Sequence, residues 1–259
     1  MTLHALETRP TTGTAAVRLA GVSKRFGNGP TVLDDVSLTV RPGEFVCLLG
    51  ASGCGKSTLL NLVAGLDAPS AGTVDLPEGR AALMFQEAAL LPWLTAAQNV
   101  ELALRLRGIG KRERRARAAQ LLELVRLRDA GGKRVHELSG GMRQRVAMAR
   151  ALAQETGVLL MDEPFAALDA ITRDVLHEEL VRLRASQRLT VLFVTHNVRE
   201  AVRLGDRVVL LSSRPGRIAR EYAVDIPQPR RIESPDVAKL SVAITEDLRA
   251  EIRRHGGQS

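Results

Sequence analysis

The chain has 259 residues, 45% of them apolar and 25% charged, with a formal charge of +8. That length can bury one domain, or one domain with a subdomain, and the balance is that of an ordinary soluble globular protein. Aromatics at 3% exclude a base-stacking single-strand surface, while the basic excess suits nucleotides, nucleic acid or an anionic membrane face without choosing among them.

Residues 1–14 hold no apolar core, do not read as a signal peptide and are expected to form a flexible tail. Short β-rich runs follow. AVRLAG and VSLTV (36–40) alternate like half-exposed strands, FVCLL (45–49) reads as a fully buried one, and ALMF (82–85) is a further strand. A helix is predicted to open at the glycine loop 50–58 and to run through STLLNLVAGL, ending near Gly65. From about 87 to 153 the β-branched runs disappear. Helical spacing takes over, as in Ala118, Leu121, Leu122 and Val125, which predicts an inserted helical subdomain. Buried strands return at VLLMD (158–162) and TVLFV (190–194), separated by an amphipathic helix with Leu176, Leu180 and Leu183 on one face. Two strands, RVVLLS and RIARE, flank SRPGR, and a C-terminal extension from 226 to 259 mixes proline, charge and a short helical pattern, TEDLRAEIRRH. Buried strands alternating with helices predict an α/β fold with a mostly parallel core sheet, the main domain covering 15–225.

No apolar run approaches a bilayer span, so a membrane role would have to come through a partner. Cys47 and Cys54 make no disulfide framework, and the five histidines, at 4, 136, 177, 196 and 255, lack metal-ligand spacing. The expected compartment is the cytoplasm.

GASGCGKS follows a buried strand and opens a helix, the context that G-x-x-x-x-G-K-[ST] requires. Backbone N–H groups of Gly50, Ala51, Ser52, Gly53, Cys54, Gly55 and the helix start through Thr58 would form an anion nest, aided by the helix dipole. Lys56 is expected to reach the β- and γ-phosphates of ATP, and the Ser57 hydroxyl to hold Mg²⁺. Cys54 reads as a small spacer in a variable slot. In VLLMDEP, a buried run ends in Asp162, expected to address Mg²⁺, and Glu163 comes next, expected to polarise the attacking water. An isolated Asp-Glu pair would be two solvated acids; behind a phosphate loop the catalytic reading is stronger. His196 is a lone histidine after a strand, usually a structural position, but at the C-terminal edge of a parallel sheet it is a candidate γ-phosphate contact.

A second glycine pair stands in LSGGMRQR. Ser139 can cap the helix beginning near Met142, and Gly140 and Gly141 leave backbone N–H groups uncovered, which makes a second anion site. The spacing equally allows a tight turn before an ordinary helix.

LSGGMRQR resembles the signature motif of the ABC ATPases, and other stretches fall into register over about residues 16–225. Phe26 in SKRFGNG resembles the aromatic residue that stacks on adenine, with Phe in place of the commoner Tyr. Gln86 in LMFQE resembles the Q-loop glutamine that contacts Mg²⁺ and the attacking water. Ala167, Leu168 and Asp169 resemble the D-loop, and His196 the switch histidine. Ala166 stands where many relatives have Gly or Ser. The resemblance implies a P-loop NTPase fold with an N-terminal antiparallel β subdomain and the helical insertion. It also implies a homodimer in which Ser139, Gly140, Gly141 and Asp169 act in trans on the partner's ATP.

LLPWLTAAQNV (90–100), DEPFAALDAITR (162–173), LLSSRPGRI (210–218) and IPQPRRIESPDVAKL resemble the nitrate/sulfonate/taurine class of bacterial importer ATPases. That class implies two membrane permease subunits, an extracytoplasmic solute-binding protein, and a position at the cytoplasmic face of the membrane. Trp93 and Leu94 are candidates for the apolar floor of a groove receiving a permease helix, with ordinary core residues as the alternative. The competing reading is a non-transport ABC ATPase acting on nucleic acid or ribosomes. It is disfavoured by the single cassette and by a span from Ser57 to Ser139 too short for a coiled coil. The basic run RLRGIGKRERRAR (105–117) is better explained as a solvated helix face than as a nucleic-acid surface, so no nucleic-acid partner is expected.

Overall fold

A computed structural model describes residues 15–77 and 79–256, so the expected tail, 1–14, lies outside the described residues. The chain forms two compact units, one from 1–80 with 190–259 and the other from 81–189.

The first unit begins with β1 (Val17–Arg25), β2 (Thr31–Val40), β3 (Phe45–Leu49), α1 (Lys56–Val63) and β4 (Ala71–Asp75). β1 pairs antiparallel with β2 on one side and β4 on the other, giving a three-stranded sheet. Val17 and Leu19 are buried while Arg18 and Ala20 are exposed, the period of two expected of a half-buried strand, and after a register shift the alternation resumes with Val22 and Lys24 buried. All five residues of β3 are buried, as a strand covered on both faces requires. β4 had no signal in the sequence. Its residues are exposed or half-buried, and its pairing with β1, from Arg18↔Asp75 to Ser23↔Ala71, makes it a strand.

The second unit runs β5 (Ala81–Met84), α2 (Ala96–Leu106), α3 (Lys111–Leu124), α4 (Gly140–Leu152), β6 (Val158–Asp162) and α5 (Ala170–Gln187). β5 and β6 are parallel, in register from Ala81↔Val158 to Met84↔Met161. α2 starts at a capping box: the Thr95 side chain accepts from Gln98 N–H, and the Gln98 side chain accepts from Thr95 N–H. Ala118, Leu122 and Val125 are buried, as their spacing predicts.

The chain then returns to the first unit with β7 (Thr190–Val194), α6 (Val198–Leu204), β8 (Arg207–Leu211), β9 (Ile218–Ala223) and α7 (Pro235–Gly256). The strand order there is β7-β3-β8-β9, parallel except for the β8–β9 hairpin. α7 is 22 residues long and begins ten positions before the helical pattern read from the sequence. Val237 and Ile244 are fully buried along it, and Asp247 accepts from Arg220 Nη1 at 2.6 Å and from the Tyr222 hydroxyl at 2.5 Å. Burial, with that carboxylate's help, pushes the Tyr222 phenol well above its ordinary range.

Candidate functional site

The phosphate loop lies between β3 and α1. Gly55 takes φ +96°, and a Cβ there would come within 2.6 Å of Leu33 Cδ2. Only glycine fits that turn without strain. Lys56, 8% exposed, donates to the Gly50 and Ala51 carbonyls, both at 2.9 Å, and lies 3.7 Å from Cys54 Sγ. The ammonium therefore sits inside the ring of its own loop, where a phosphate oxygen would meet it. Cys54 is buried beneath that ring, and burial raises its thiol pKa against the opposing pull of Lys56. A packed thiol in this state is a poor nucleophile. Ser57 is exposed at the first turn of α1, so its hydroxyl is accessible.

β3 and β7 are neighbouring parallel strands with Leu48 opposite Val194. Gly50 and His196 each come two residues beyond that pair, so the loop and the histidine leave the same edge of the first unit's sheet. Ligands of open α/β sheets gather at that edge. His196 is exposed, and Asn197 after it caps α6. Phe26, just past β1, is 52% exposed, with the Lys24 ammonium 4.7 Å from its ring centroid.

The second unit carries the acidic pair. Asp162 ends β6 and is only 7% exposed. Glu163 follows with φ +45°, a left-handed conformation uncommon for a residue with a side chain. The backbone therefore turns between the two carboxylates, and they leave the strand in different directions. Among the described residues no three His, Cys, Asp or Glu side chains cluster to hold a metal. A single buried carboxylate such as Asp162 suits Mg²⁺, which is typically held by one or two carboxylates together with substrate phosphates and water.

Gln86 is exposed just beyond β5. Its loop is tied down by α4, through two side chains whose contacts the sequence did not reveal. Gln144 Nε2 donates to the Gln86 carbonyl at 3.1 Å, and Arg150 donates to the carbonyls of Ala88 at 3.0 Å and Ala89 at 2.7 Å. In the sequence nothing sets Gln144 and Arg150 apart from Arg143 and Arg145 on the same helix.

At the other end of α4, the Ser139 hydroxyl accepts from Met142 N–H at 3.2 Å, the cap its position predicts. Gly140 is exposed, and a Cβ there would meet only Arg143 Nη2, at 3.9 Å. A Cβ on Gly141 would press on Leu168 Cδ2 at 3.1 Å and the Ala167 carbonyl at 3.3 Å. Asp169 caps α5, accepting from Thr172 N–H at 2.9 Å, and that hydrogen bond holds its carboxyl below the usual range.

Trp93 is 65% exposed and Phe85 40%, so the core-residue alternative for Trp93 fails. In the basic run, Arg107 and Arg117 pair with Glu155 at 2.6 and 2.8 Å, and Arg114 pairs with Glu101 at 3.2 Å. Part of that charge is therefore spent on the unit's own acids.

A buried strand, a glycine loop with an inward lysine and the helix that opens directly from it define a P-loop nucleoside-triphosphate-binding protein. The family model described as ABC transporter matches residues 33–166. The chain is 46% identical over 242 residues to the aliphatic sulfonates import ATP-binding protein SsuB 1 of Agrobacterium fabrum, covering 93% of this chain and 86% of that one. It is 44% identical to the taurine import ATP-binding protein TauB of Chromobacterium violaceum, covering 92% and 96%. A solved dimeric ATP-binding cassette, in a post-hydrolysis state bound to ADP and Pi, superposes with a TM-score of 0.76 at 34% identity, over 82% of this chain and all of that one. The chain belongs to the ABC transporter family.

Proposed function

We propose that this chain is the ATP-hydrolysing subunit of a bacterial importer for a small solute of the sulfonate, taurine or nitrate type. Two copies work as a homodimer beneath two membrane permease subunits, at the cytoplasmic face, and an extracytoplasmic solute-binding protein delivers the cargo. The observation that carries this reading is the second glycine pair: α4 begins at an exposed Gly140, in a unit that does not contain the phosphate loop 50–58. An open helix start of that kind suits the γ-phosphate of a nucleotide held by another copy. Similarity to importer ATP-binding proteins for aliphatic sulfonates and taurine supports the direction of transport and the class of solute.

Phe26 stacks on adenine, and residues Gly50 to Thr58 wrap the phosphates. Lys56 gives its ammonium to the β- and γ-phosphates, exchanging its carbonyl partners for phosphate oxygens. Ser57, Asp162 and Gln86 would hold Mg²⁺, which supplies charge neutralisation on the phosphate oxygens when bound. Glu163 takes the proton of the attacking water, and His196 donates a hydrogen bond to the γ-phosphate. Ser139, Gly140, Gly141 and Asp169 complete the partner copy's site. Catalysis is then mainly positioning and charge stabilisation. Trp93 and Leu94 contribute to the permease-facing floor.

Glu163→Gln removes the base and leaves the phosphate contacts in place. ATP binding is expected to persist while hydrolysis falls by about 100-fold or more, with an ATP-dependent dimer accumulating on size exclusion. Full ATPase activity in that variant refutes the assignment. ATPase activity unaffected by DNA or rRNA, together with a co-purifying hydrophobic permease, separates this reading from a nucleic-acid or ribosome ATPase.

A further inference from the structure

His196 leaves β7 directly before a very short helix. α6 has seven residues, too few to be stable on its own hydrogen bonds. Its first turn is well held: Asn197 Oδ1 accepts from the N–H groups of Arg199 at 3.0 Å and Glu200 at 3.2 Å, and the Thr195 hydroxyl donates to the Glu200 carboxylate. The Thr195 Oγ1 also accepts from Asn197 N–H at 3.0 Å. Strand end, histidine and helix start are thereby bound into one block.

The other end of α6 has no following turn, because the chain extends at Gly205 toward β8. Its last carbonyls need donors from elsewhere. Two side chains of the C-terminal extension provide them. Gln228 Nε2 donates to the Arg203 carbonyl at 3.1 Å. Arg230 Nη1 donates to Val202 O at 2.9 Å and Gly205 O at 2.5 Å, while its remaining N–H groups reach Ile226 O at 2.7 Å and Val224 O at 3.0 Å. Arg230 is only 7% exposed. A planar fork of five donors fixes several carbonyls in defined directions, and a cation at a helix C-terminus also complements the dipole. Breaking such buried bonds strands carbonyls without partners, so the arrangement resists displacement.

We infer that Arg230 and Gln228 are positioning residues for His196: the C-terminal extension clamps one end of the helix whose other end carries the histidine. This rests on the reading of His196 as the γ-phosphate contact. Both side chains are bonded to backbone carbonyls, and each acts through the placement of α6.

The test compares steady-state ATP hydrolysis by the full-length chain with Arg230→Met, Gln228→Ala, His196→Ala and the double variant Arg230→Met/His196→Ala. The expected kcat falls about 10-fold in Arg230→Met and about threefold in Gln228→Ala, with KM for ATP within about twofold of wild type in both. His196→Ala is expected to lose about 100-fold, and the double variant to lie within about twofold of it, because residues acting through one group are not additive. Losses that multiply in the double variant, or full kcat in Arg230→Met, overturn the clamp. If melting shows that Arg230→Met does not hold its fold, Gln228→Ala decides, and full kcat there overturns the clamp equally. Full activity in His196→Ala is a separate outcome: it removes the histidine's assigned role, and the clamp's purpose with it.

Discussion

The two glycine-rich helix starts of this chain solve the same electrostatic problem in opposite ways. At 50–58 the loop closes on itself: Gly55 turns left-handed, Lys56 bonds back to two loop carbonyls, and Cys54 is packed beneath. At 139–141 there is no such loop. A single Ser139 cap leads straight into α4, and the space beyond Gly140 is open. A closed nest has enough donors to hold phosphate alone. An open helix start contributes one face of a site and needs another surface to complete it. On the proposed reading, the contrast accounts for one chain carrying both.

Substitutions at the two glycines should break the comparison cleanly if it is wrong. Gly55→Val places a branched side chain at positive φ against Leu33. It should destabilise the fold by about 3 kcal/mol and abolish ATP binding by the single chain, as read by denaturant melts and nucleotide titration. Gly140→Asp introduces a carboxylate where there is room for it and where the helix dipole favours it. Folding stability should hold or rise by a few tenths of a kcal/mol, and single-chain ATP affinity should stay within about twofold, while hydrolysis drops about 100-fold. If Gly140→Asp weakens single-chain binding as severely as Gly55→Val, the distinction between closed and open sites is false.

The smallest expected effect is a control within the second unit. Hydrogen bonding to Arg107 is the main cause holding the Glu155 carboxyl below its ordinary 4.5. A depressed folded value stabilises the native state above the unfolded pKa, and that contribution is lost as pH falls through the folded one. Glu155→Gln should therefore lower stability at neutral pH by at most about 1 kcal/mol, since the pair is partly exposed, and flatten the acid limb below about pH 4.5. ATPase activity should not change.

Much of the site was legible because its chemistry is local in sequence. FVCLL followed by GASGCGKS, VLLMD followed by Glu163, and Ser139 before a glycine pair each declare strand, loop or cap within ten residues. The parts that stayed hidden depend on distant partners. β4 is a strand because β1 lies beside it, and AGTVD alone has no pattern to announce that. Gln144 and Arg150 steady the loop around Gln86 across some 60 positions of sequence. Arg230 is a charged residue in a proline-rich stretch, which reads as solvated surface. Only folding shows that carbonyls from Val224 just past β9, from α6 and from its own segment converge on it. α7 did leave a cue, Pro235 at the first helical position, but the mixed polarity that follows it obscured the period.

Both thiols of this chain, Cys47 and Cys54, are sealed in the interior. A cysteine introduced at an exposed position would thus react against a quiet background, with no need to strip the native sulfurs first. Spin or dye labels placed near Ser139 in one copy and Phe26 in another could follow their approach and separation through each round of nucleotide turnover.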